Sequence, residues 1–148
     1  GKPVPFNPYK LRVDRRTGSG LVAVAGPISN LILAVLAALP IRLLPTSALP
    51  MVVWQLLVIL ALINISLAVF NLLPIVPLDG HHVMIAALAA VDTSWSRNMA
   101  GTWERLQRAG PSLLILIIIA NSYIGILDTL LSPPASTLRA WIMGPAWA

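Results

Sequence analysis

The sequence predicts an all-α integral membrane protein with about three transmembrane helices, a short interfacial or re-entrant helix and an extended N-terminal loop or β segment. Of its 148 residues, 57% are hydrophobic and only 10% are charged. Ordinary globular chains contain about 25% charged residues. The mean hydropathy is +0.84, and the apolar residues are concentrated in long, nearly uncharged runs. This composition excludes most soluble folds, and we expect all 148 residues to form a single membrane-embedded domain.

Residues 1–18 are predicted to form an extended, loop-rich segment. They contain three prolines and an alternating Val4/Phe6 pair, and they carry half of the ten Lys and Arg residues. The segment differs from a signal peptide, because it leads into a full-length apolar stretch rather than a short apolar core with a cleavage site. Since the sequence also opens on Gly1 in the middle of a motif, we expect the chain to be the C-terminal part of a longer protein.

Two apolar runs are long enough to cross a bilayer, which takes about 20 residues. Residues 21–44 contain Arg42 as their only charge, and residues 51–73 contain none. Residues 113–131 form a third run of adequate length. Four residues interrupt this run: Asn121, Ser122, Gly125 and Asp128. We expect a transmembrane helix in each run, followed by a tail over residues 132–148 that is too short to be a domain.

Residues 74–110 are expected to stay at one face of the membrane. Residues 83–91 are apolar but too few to cross, and residues 92–110 carry several charges. Trp95 and Trp103 are candidates for anchors at the membrane–water interface, where indole rings concentrate. This segment is the predicted interfacial or re-entrant part of the chain.

The net charge of +5 predicts membrane topology rather than nucleic-acid binding. The basic residues flank apolar runs and lack the interleaved aromatic residues of a base-stacking surface. With three crossings, eight of the ten Lys and Arg residues lie on the side of residues 1–18 and 74–110, and only Arg42 and Arg139 lie on the other. The positive-inside rule therefore predicts that the basic side is cytoplasmic, or matrix- or stroma-like in an organelle, and contacts anionic lipid. We expect the membrane to be the cell (inner) membrane.

The candidate chemistry is concentrated where the second run ends. Pro74 and Pro77 remove two backbone donors and obstruct helix, so regular helix should end near Leu73. Unpaired carbonyls at membrane depth are tolerated only inside protein or beside a wet cavity, which predicts a polar cavity near the cytoplasmic face. Asp79 would line that cavity. An ionised Asp near hydrocarbon costs about 2.5–3.5 kcal/mol, so a metal cation is a natural partner for it.

These residues resemble the second signature of the site-2 protease family of intramembrane zinc metalloproteases. The matching pattern is Asn71-x-x-Pro74-x-x-x-x-Asp79-Gly80 after an apolar helix. Residues 1–8 are similar to the loop after the family's first core helix. Three further positions resemble the start of its second core helix: Gly26, Pro27 and Asn30.

The resemblance implies hydrolysis of peptide bonds within transmembrane segments of a protein substrate. It implies a zinc ion held by two His of a His-Glu-x-x-His helix and by Asp79, and it implies that Asn71 orients substrate or donates to the developing oxyanion. The sequence departs from the family because it contains no His-Glu-x-x-His. Its only histidines are His81 and His82, and its only glutamate is Glu104. We expect the missing helix to precede residue 1, and the 148 residues alone to be inactive.

Several candidate residues have structural alternatives. Asp79 could cap the helix that begins at Gly80, and Asn71 could cap the carbonyls at the end of its own helix. His81 and His82 could form a local zinc site with Asp79, although neighbouring helical residues project about 100° apart. The pair is more simply placed at the mouth of the cavity or beside the ligands.

The other two motifs also have alternatives. Gly26, Pro27 and Asn30 could serve close helix packing, since small residues let backbones approach. The segment Val4-Pro5-Phe6 could add a β-strand to an unwound substrate, or it could be a loop on the membrane surface.

A different class of function also stays open, that of a non-catalytic membrane protein. It could be a pseudoprotease that binds transmembrane clients, or a transporter fragment with an ion site at Asp79, because broken helices also form ion sites in transporters. The three predicted spans contain no inverted second copy of the broken helix, which weakens the transporter alternative. A His-Glu-x-x-His in the preceding segment would favour the protease.

Overall fold

The computed structural model describes residues 15–91, 93–106 and 110–147, and these residues form helices without any strand. The α-helices are α1 (Arg15–Leu43), α2 (Met51–Asn71), α3 (Asp79–Val91), α4 (Ser94–Leu106), α5 (Gly110–Ile124) and α6 (Ile126–Met143). Short 3₁₀ turns follow α1 and α6, at Thr46–Ala48 and Pro145–Trp147. The predicted all-α membrane class is confirmed. The predicted extended segment lies outside the described residues up to residue 14, and residues 15–18 already belong to α1.

Two helices are long and apolar enough to cross a membrane, Gly18–Leu43 within α1 and all of α2. Both fall on the two longest runs with almost no charge in the sequence. Helix α2 ends at Asn71, two residues before the predicted end, and the Leu72 amide donates back to the carbonyl of Ala68 (3.2 Å). The end is sharp because Pro74 and Pro77 cannot continue the hydrogen-bond ladder.

Helices α1, α2 and α6 share a core of small side chains. Its buried members are Ala34, Ala37, Ala38, Ala61, Ile65 and Met143. Alanine at the interface lets two helix backbones approach closely, which is the usual basis of association where lipid removes the hydrophobic driving force. Met143 belongs to α6, so the C-terminal helix completes this core. Arg42 adds a polar contact, since its Nη1 donates to the carbonyl of Trp141 (2.9 Å).

Helix α3 packs along the first half of α1, and α4 packs on α3. The start of α4 is capped reciprocally, with the Thr93 amide donating to Ser96 Oγ (2.9 Å) and the Ser96 amide donating to Thr93 Oγ1 (3.1 Å). The two candidate anchors separate in the structure. Trp95 is 64% exposed, whereas Trp103 packs beside His81 with ring centroids 6.1 Å apart. Trp95 is therefore the tryptophan of α4 placed to meet an interface.

The third predicted span is bent. Gly125 has a left-handed backbone (φ 64°) between α5 and α6, and the axes of Gly110–Ser122 and Leu127–Met143 differ by 88°. Asn121 Oδ1 accepts the Leu127 amide (2.7 Å), which caps the start of α6. By length and composition, the described residues therefore contain two spanning helices, or three if the bent pair counts as one. Residues 132–143 of the expected tail are helical and belong to α6.

Candidate functional site

The link between α2 and α3 is a compact turn over residues 72–78. The Ile75 amide donates to the carbonyl of Leu73 (2.7 Å), and the Leu78 amide donates to the carbonyl of Ile75 (2.8 Å). Val76 and Leu78 within the turn are buried. These hydrogen bonds pair some of the backbone polar groups that the two prolines leave without helical partners. The turn leads directly into α3.

Asp79 is the first residue of α3 and is half-buried. Its carboxylate lies against the backbone of α1 at Gly26, where an added Cβ would be 2.9 Å from Asp79 Oδ2. Among the described residues the carboxylate accepts no hydrogen bond, so the structure does not use Asp79 as a side-chain cap of α3. The motif at Gly26 and the motif that ends at Asp79-Gly80 lie far apart in the sequence. They nevertheless meet at this carboxylate.

Gly80 is buried and follows Asp79. A Cβ built on it would overlap the carbonyl oxygens of Leu72 and Leu73. Only glycine permits this approach of α3 to the end of α2. Pro74, the other structural position of the motif, is exposed in the turn. Gly80 therefore sets how near the carboxylate of Asp79 lies to the C-terminal end of the preceding helix.

Asn71 is the last residue of α2 and is half-buried. Its side chain has no hydrogen-bond partner in the part of the chain that the structure describes. The end of α2 is closed by backbone bonds of Leu72 and Leu73 instead. The side-chain amide is thus not used as a cap, and it stays available to a ligand beside the turn.

Within the described residues, His81 and His82 do not form a shared metal site with Asp79. His81 is 1% exposed and packs between His82 and Trp103. His82 Nδ1 forms a hydrogen bond with Ser19 Oγ on α1 (3.3 Å). Within the described ranges, no group of three His, Cys, Asp or Glu residues could hold a metal ion. The local three-residue zinc site is therefore not formed, in keeping with the divergent directions of neighbouring helical side chains.

The other two residues of the Gly26, Pro27 and Asn30 motif also lie on α1. Pro27 is fully buried and Asn30 is half-buried. Pro27 also lacks the amide that would bond to the carbonyl of Ala23. The segment Val4-Pro5-Phe6 and the side chain of Glu104 lie outside the residues that the structure describes.

Sequence reasoning missed three residues that position the site. Ser19 holds His82, as described above. A Cβ on Gly20 would overlap that of Ala86 on α3, and a Cβ on Gly110 would be 2.9 Å from Val76 Cγ1, so the start of α5 rests on the turn. Ser19 and Gly20 are small residues where α1 crosses α3, and Gly110 is a small residue where α5 meets the turn. Small residues in apolar helices are the sequence signal for such contacts, but they do not indicate the partner.

Asp79 fits one of the ligand positions of a catalytic zinc site. Such a site has three protein ligands and one open position, and an Asp oxygen is an accepted ligand. Asp79 provides a carboxylate that is half-buried and accepts no hydrogen bond among the described residues. Two further ligands and a general base would have to come from elsewhere.

Comparison with known proteins places these features in a family. The model of "Peptidase family M50" matches residues 38–116, which include the turn and both ends of the Asn71–Gly80 motif. The Bacillus subtilis (strain 168) protein named "Putative zinc metalloprotease YwhC" is 35% identical over 89 residues, which cover 56% of this chain and 40% of that protein. The chain therefore spans less than half the length of this relative. No solved structure matches the chain.

Proposed function

The chain belongs to peptidase family M50, and we propose that it is part of an intramembrane zinc metalloendopeptidase of the site-2 protease type. The proposed reaction is hydrolysis of peptide bonds within the transmembrane segments of protein substrates. One observation carries the proposal. The family motif Asn71…Asp79-Gly80 breaks a membrane-length helix and places an ionisable carboxylate against the backbone of a second helix.

Asp79 is proposed to be a zinc ligand. An isolated carboxylate at membrane depth is costly unless it has a charged or polar partner, and a divalent cation is such a partner. When bound, the metal would lower the pKa of a water molecule toward neutrality and polarise the scissile carbonyl. The proposal requires two His ligands and a general-base Glu from a His-Glu-x-x-His segment outside these 148 residues. The fragment alone is accordingly proposed to be inactive.

Asn71 is proposed to act on the substrate. Its amide lies at the end of α2, beside the turn that leads to Asp79, and it has no partner among the described residues. A neutral N–H donor aimed at the substrate carbonyl would stabilise negative charge as it develops there. The turn at 72–78 directly follows Asn71 and interrupts regular helix beside it. An unwound substrate segment would therefore meet an irregular part of the protein rather than a helix wall.

The proposed orientation places this site near the cytoplasmic face of the cell (inner) membrane. The eight-to-two distribution of Lys and Arg between the two sides supports this orientation. Anionic lipids are the proposed neighbours of the basic segments. The segment Val4-Pro5-Phe6 is proposed to pair its backbone with the unwound substrate, because such pairing demands little of the substrate sequence.

The first test is zinc stoichiometry of the detergent-purified full-length protein. Wild type, Asp79→Ala and the 148-residue fragment are compared, and Asp128→Ala serves as the control for loss of another carboxylate. The proposal expects about one zinc in wild type and in Asp128→Ala, and little in the other two samples. Wild type and Asp128→Ala should cleave a transmembrane reporter substrate. Asp79→Ala should cleave little of it, and the fragment none.

The other outcomes are informative as well. Wild-type zinc content and turnover in Asp79→Ala would refute the ligand assignment. Zinc retained by the fragment would instead support the local site of Asp79, His81 and His82. Absence of zinc from every sample, together with binding of transmembrane segments, would instead support a pseudoprotease.

A further inference from the structure

We propose that Gly26 is a positioning residue for the zinc ligand Asp79. The missing side chain of Gly26 lets Oδ2 of Asp79 rest against the backbone of α1, which fixes the orientation of the carboxylate and leaves Oδ1 directed away from that contact. This inference rests on the proposed function of Asp79 and deepens it. It assigns to α1 a role in the metal site, beyond the close helix packing that the sequence suggests for Gly26.

Contacts around Gly26 are the first argument. A Cβ added there would lie 2.9 Å from Asp79 Oδ2 and 4.0 Å from Asp79 Cγ. Apart from the chain neighbours of Gly26 and the backbone of its own helix, no other described atom lies within 4 Å. Gly26 is otherwise exposed on the surface of α1. Its backbone is regular helix, so no positive φ requires glycine at this position. The one thing that a side chain at Gly26 would meet is therefore the carboxylate.

The cost of glycine is the second argument. Glycine in the middle of a helix is destabilising by about 0.5–1 kcal/mol relative to alanine. A helix that needed only an exposed small residue at this position would be better served by alanine. Space for the carboxylate is the feature that offsets this cost.

Gly20 supplies a comparison within the same interface. A Cβ on Gly20 would overlap that of Ala86 and lie 3.3 Å from the carbonyl oxygen of His82. Gly20 is buried and contacts the body of α3, which is the ordinary role of a small residue at a helix crossing. Gly20 and Gly26 of α1 thus face the same helix with different partners. Gly20 contacts packed carbon and backbone, whereas Gly26 contacts the carboxylate alone.

The rest of the α1–α3 interface prevents α3 from turning to relieve a clash. Asp79, His82 and Ala86 lie at positions i, i+3 and i+7 of α3, which share one helix face. His82 is held by Ser19 (3.3 Å), and Ala86 is held by close contact with Gly20. With two of the three positions fixed, the carboxylate itself has to move when Gly26 gains a side chain. A normal contact would require a movement of roughly 0.5 Å, about the tolerance of a metal-ligand arrangement.

The test uses the full-length protein and three variants: Gly26→Ala, Gly20→Ala and Asp79→Ala. Zinc affinity is measured by competition with a chelator, and stability is measured on the zinc-free protein by unfolding in mixed detergent. The visible spectrum of the cobalt-loaded protein reports the ligand geometry directly. We expect Gly26→Ala to weaken zinc binding about 10- to 100-fold and to alter the cobalt spectrum, with no loss of stability in the zinc-free form. Gly20→Ala should lose stability in the zinc-free form, because its added Cβ meets Ala86 and the His82 carbonyl.

The outcomes separate this inference from the proposed function. If Asp79→Ala loses zinc while Gly26→Ala binds zinc and cobalt as wild type does, Asp79 remains a ligand and the role of Gly26 is refuted. If Gly26→Ala destabilises the zinc-free protein as Gly20→Ala does, Gly26 is a packing residue and the inference also fails. If Asp79→Ala keeps its zinc, the ligand assignment and the role of Gly26 are refuted together.

Discussion

Gly80 lies directly against the carbonyl oxygens of Leu72 and Leu73, so close that an added Cβ would overlap both. This contact closes the turn between α2 and α3. It fixes the first turn of α3, and hence the carboxylate of Asp79, relative to the end of the membrane-spanning α2. The contact explains in physical terms why glycine follows the acidic residue.

Gly80→Ala is expected to destabilise the protein and displace Asp79. The added methyl group meets two carbonyl oxygens that belong to fixed backbone, and overpacking of this kind costs about 1–3 kcal/mol. The free energy of unfolding in mixed detergent measures the first effect, and zinc affinity measures the second. Gly101→Ala is the matched control, because nothing lies within 4 Å of a Cβ at that position in α4. A stability of Gly80→Ala equal to that of Gly101→Ala would contradict the packing described here.

Asn71→Ala is expected to retain zinc and to lower the turnover number about 10²- to 10³-fold, the usual effect of removing one oxyanion donor. Asn64→Ala is the control on the same helix. Asn64 is buried and donates to the carbonyl of Leu60 (2.8 Å), so its loss should affect stability by about 1 kcal/mol and leave the turnover number unchanged. Loss of zinc in Asn71→Ala would instead make Asn71 a structural residue.

The sequence was sufficient to predict the two membrane-length helices and the point where the second one ends. Hydropathy identifies α1 and α2 because a span has to exclude charge over about 20 residues. Pro74 and Pro77 identify the break because each lacks an amide donor. Both signals are local, so a single sequence carries them.

Contacts between helices could not be predicted in this way. The meeting of Gly26 with Asp79 depends on the rotation and register of α3 on α1, and small residues do not indicate their partners. The rotation of α4 was equally hidden, since Trp95 and Trp103 have the same apolar character but only Trp103 packs on His81. Four residues interrupt the third apolar run around the bend at Gly125. The high average hydropathy of the run nevertheless predicted one continuous span.

Asn121→Ala is expected to loosen the bend between α5 and α6. The Asn121 side chain accepts the Leu127 amide (2.7 Å) and donates to Asp128 Oδ2 (3.4 Å), so its removal leaves the first turn of α6 without this cap, at a cost of about 1 kcal/mol. Amide hydrogen exchange over residues 126–130 should accelerate. Ser122→Ala is the control, because Ser122 bonds only within its own helix, to the carbonyl of Ile118 (3.3 Å). Equal exchange in the two variants would show that Asn121 does not maintain the bend.

Single cysteines are expected to report the orientation of the chain, since its 148 residues contain none. In a full-length protein without other cysteines, an impermeant maleimide added to intact cells should label Ser47→Cys, between α1 and α2. It should reach Thr102→Cys on α4 only after the membrane is opened, because the basic segments are predicted to be cytoplasmic. Ala146→Cys should behave as Ser47→Cys does, since Arg42 at the end of α1 bonds to Trp141 near the end of α6. Labelling of Ala146→Cys together with Thr102→Cys would mean that the bent α5–α6 pair returns to the side from which it starts.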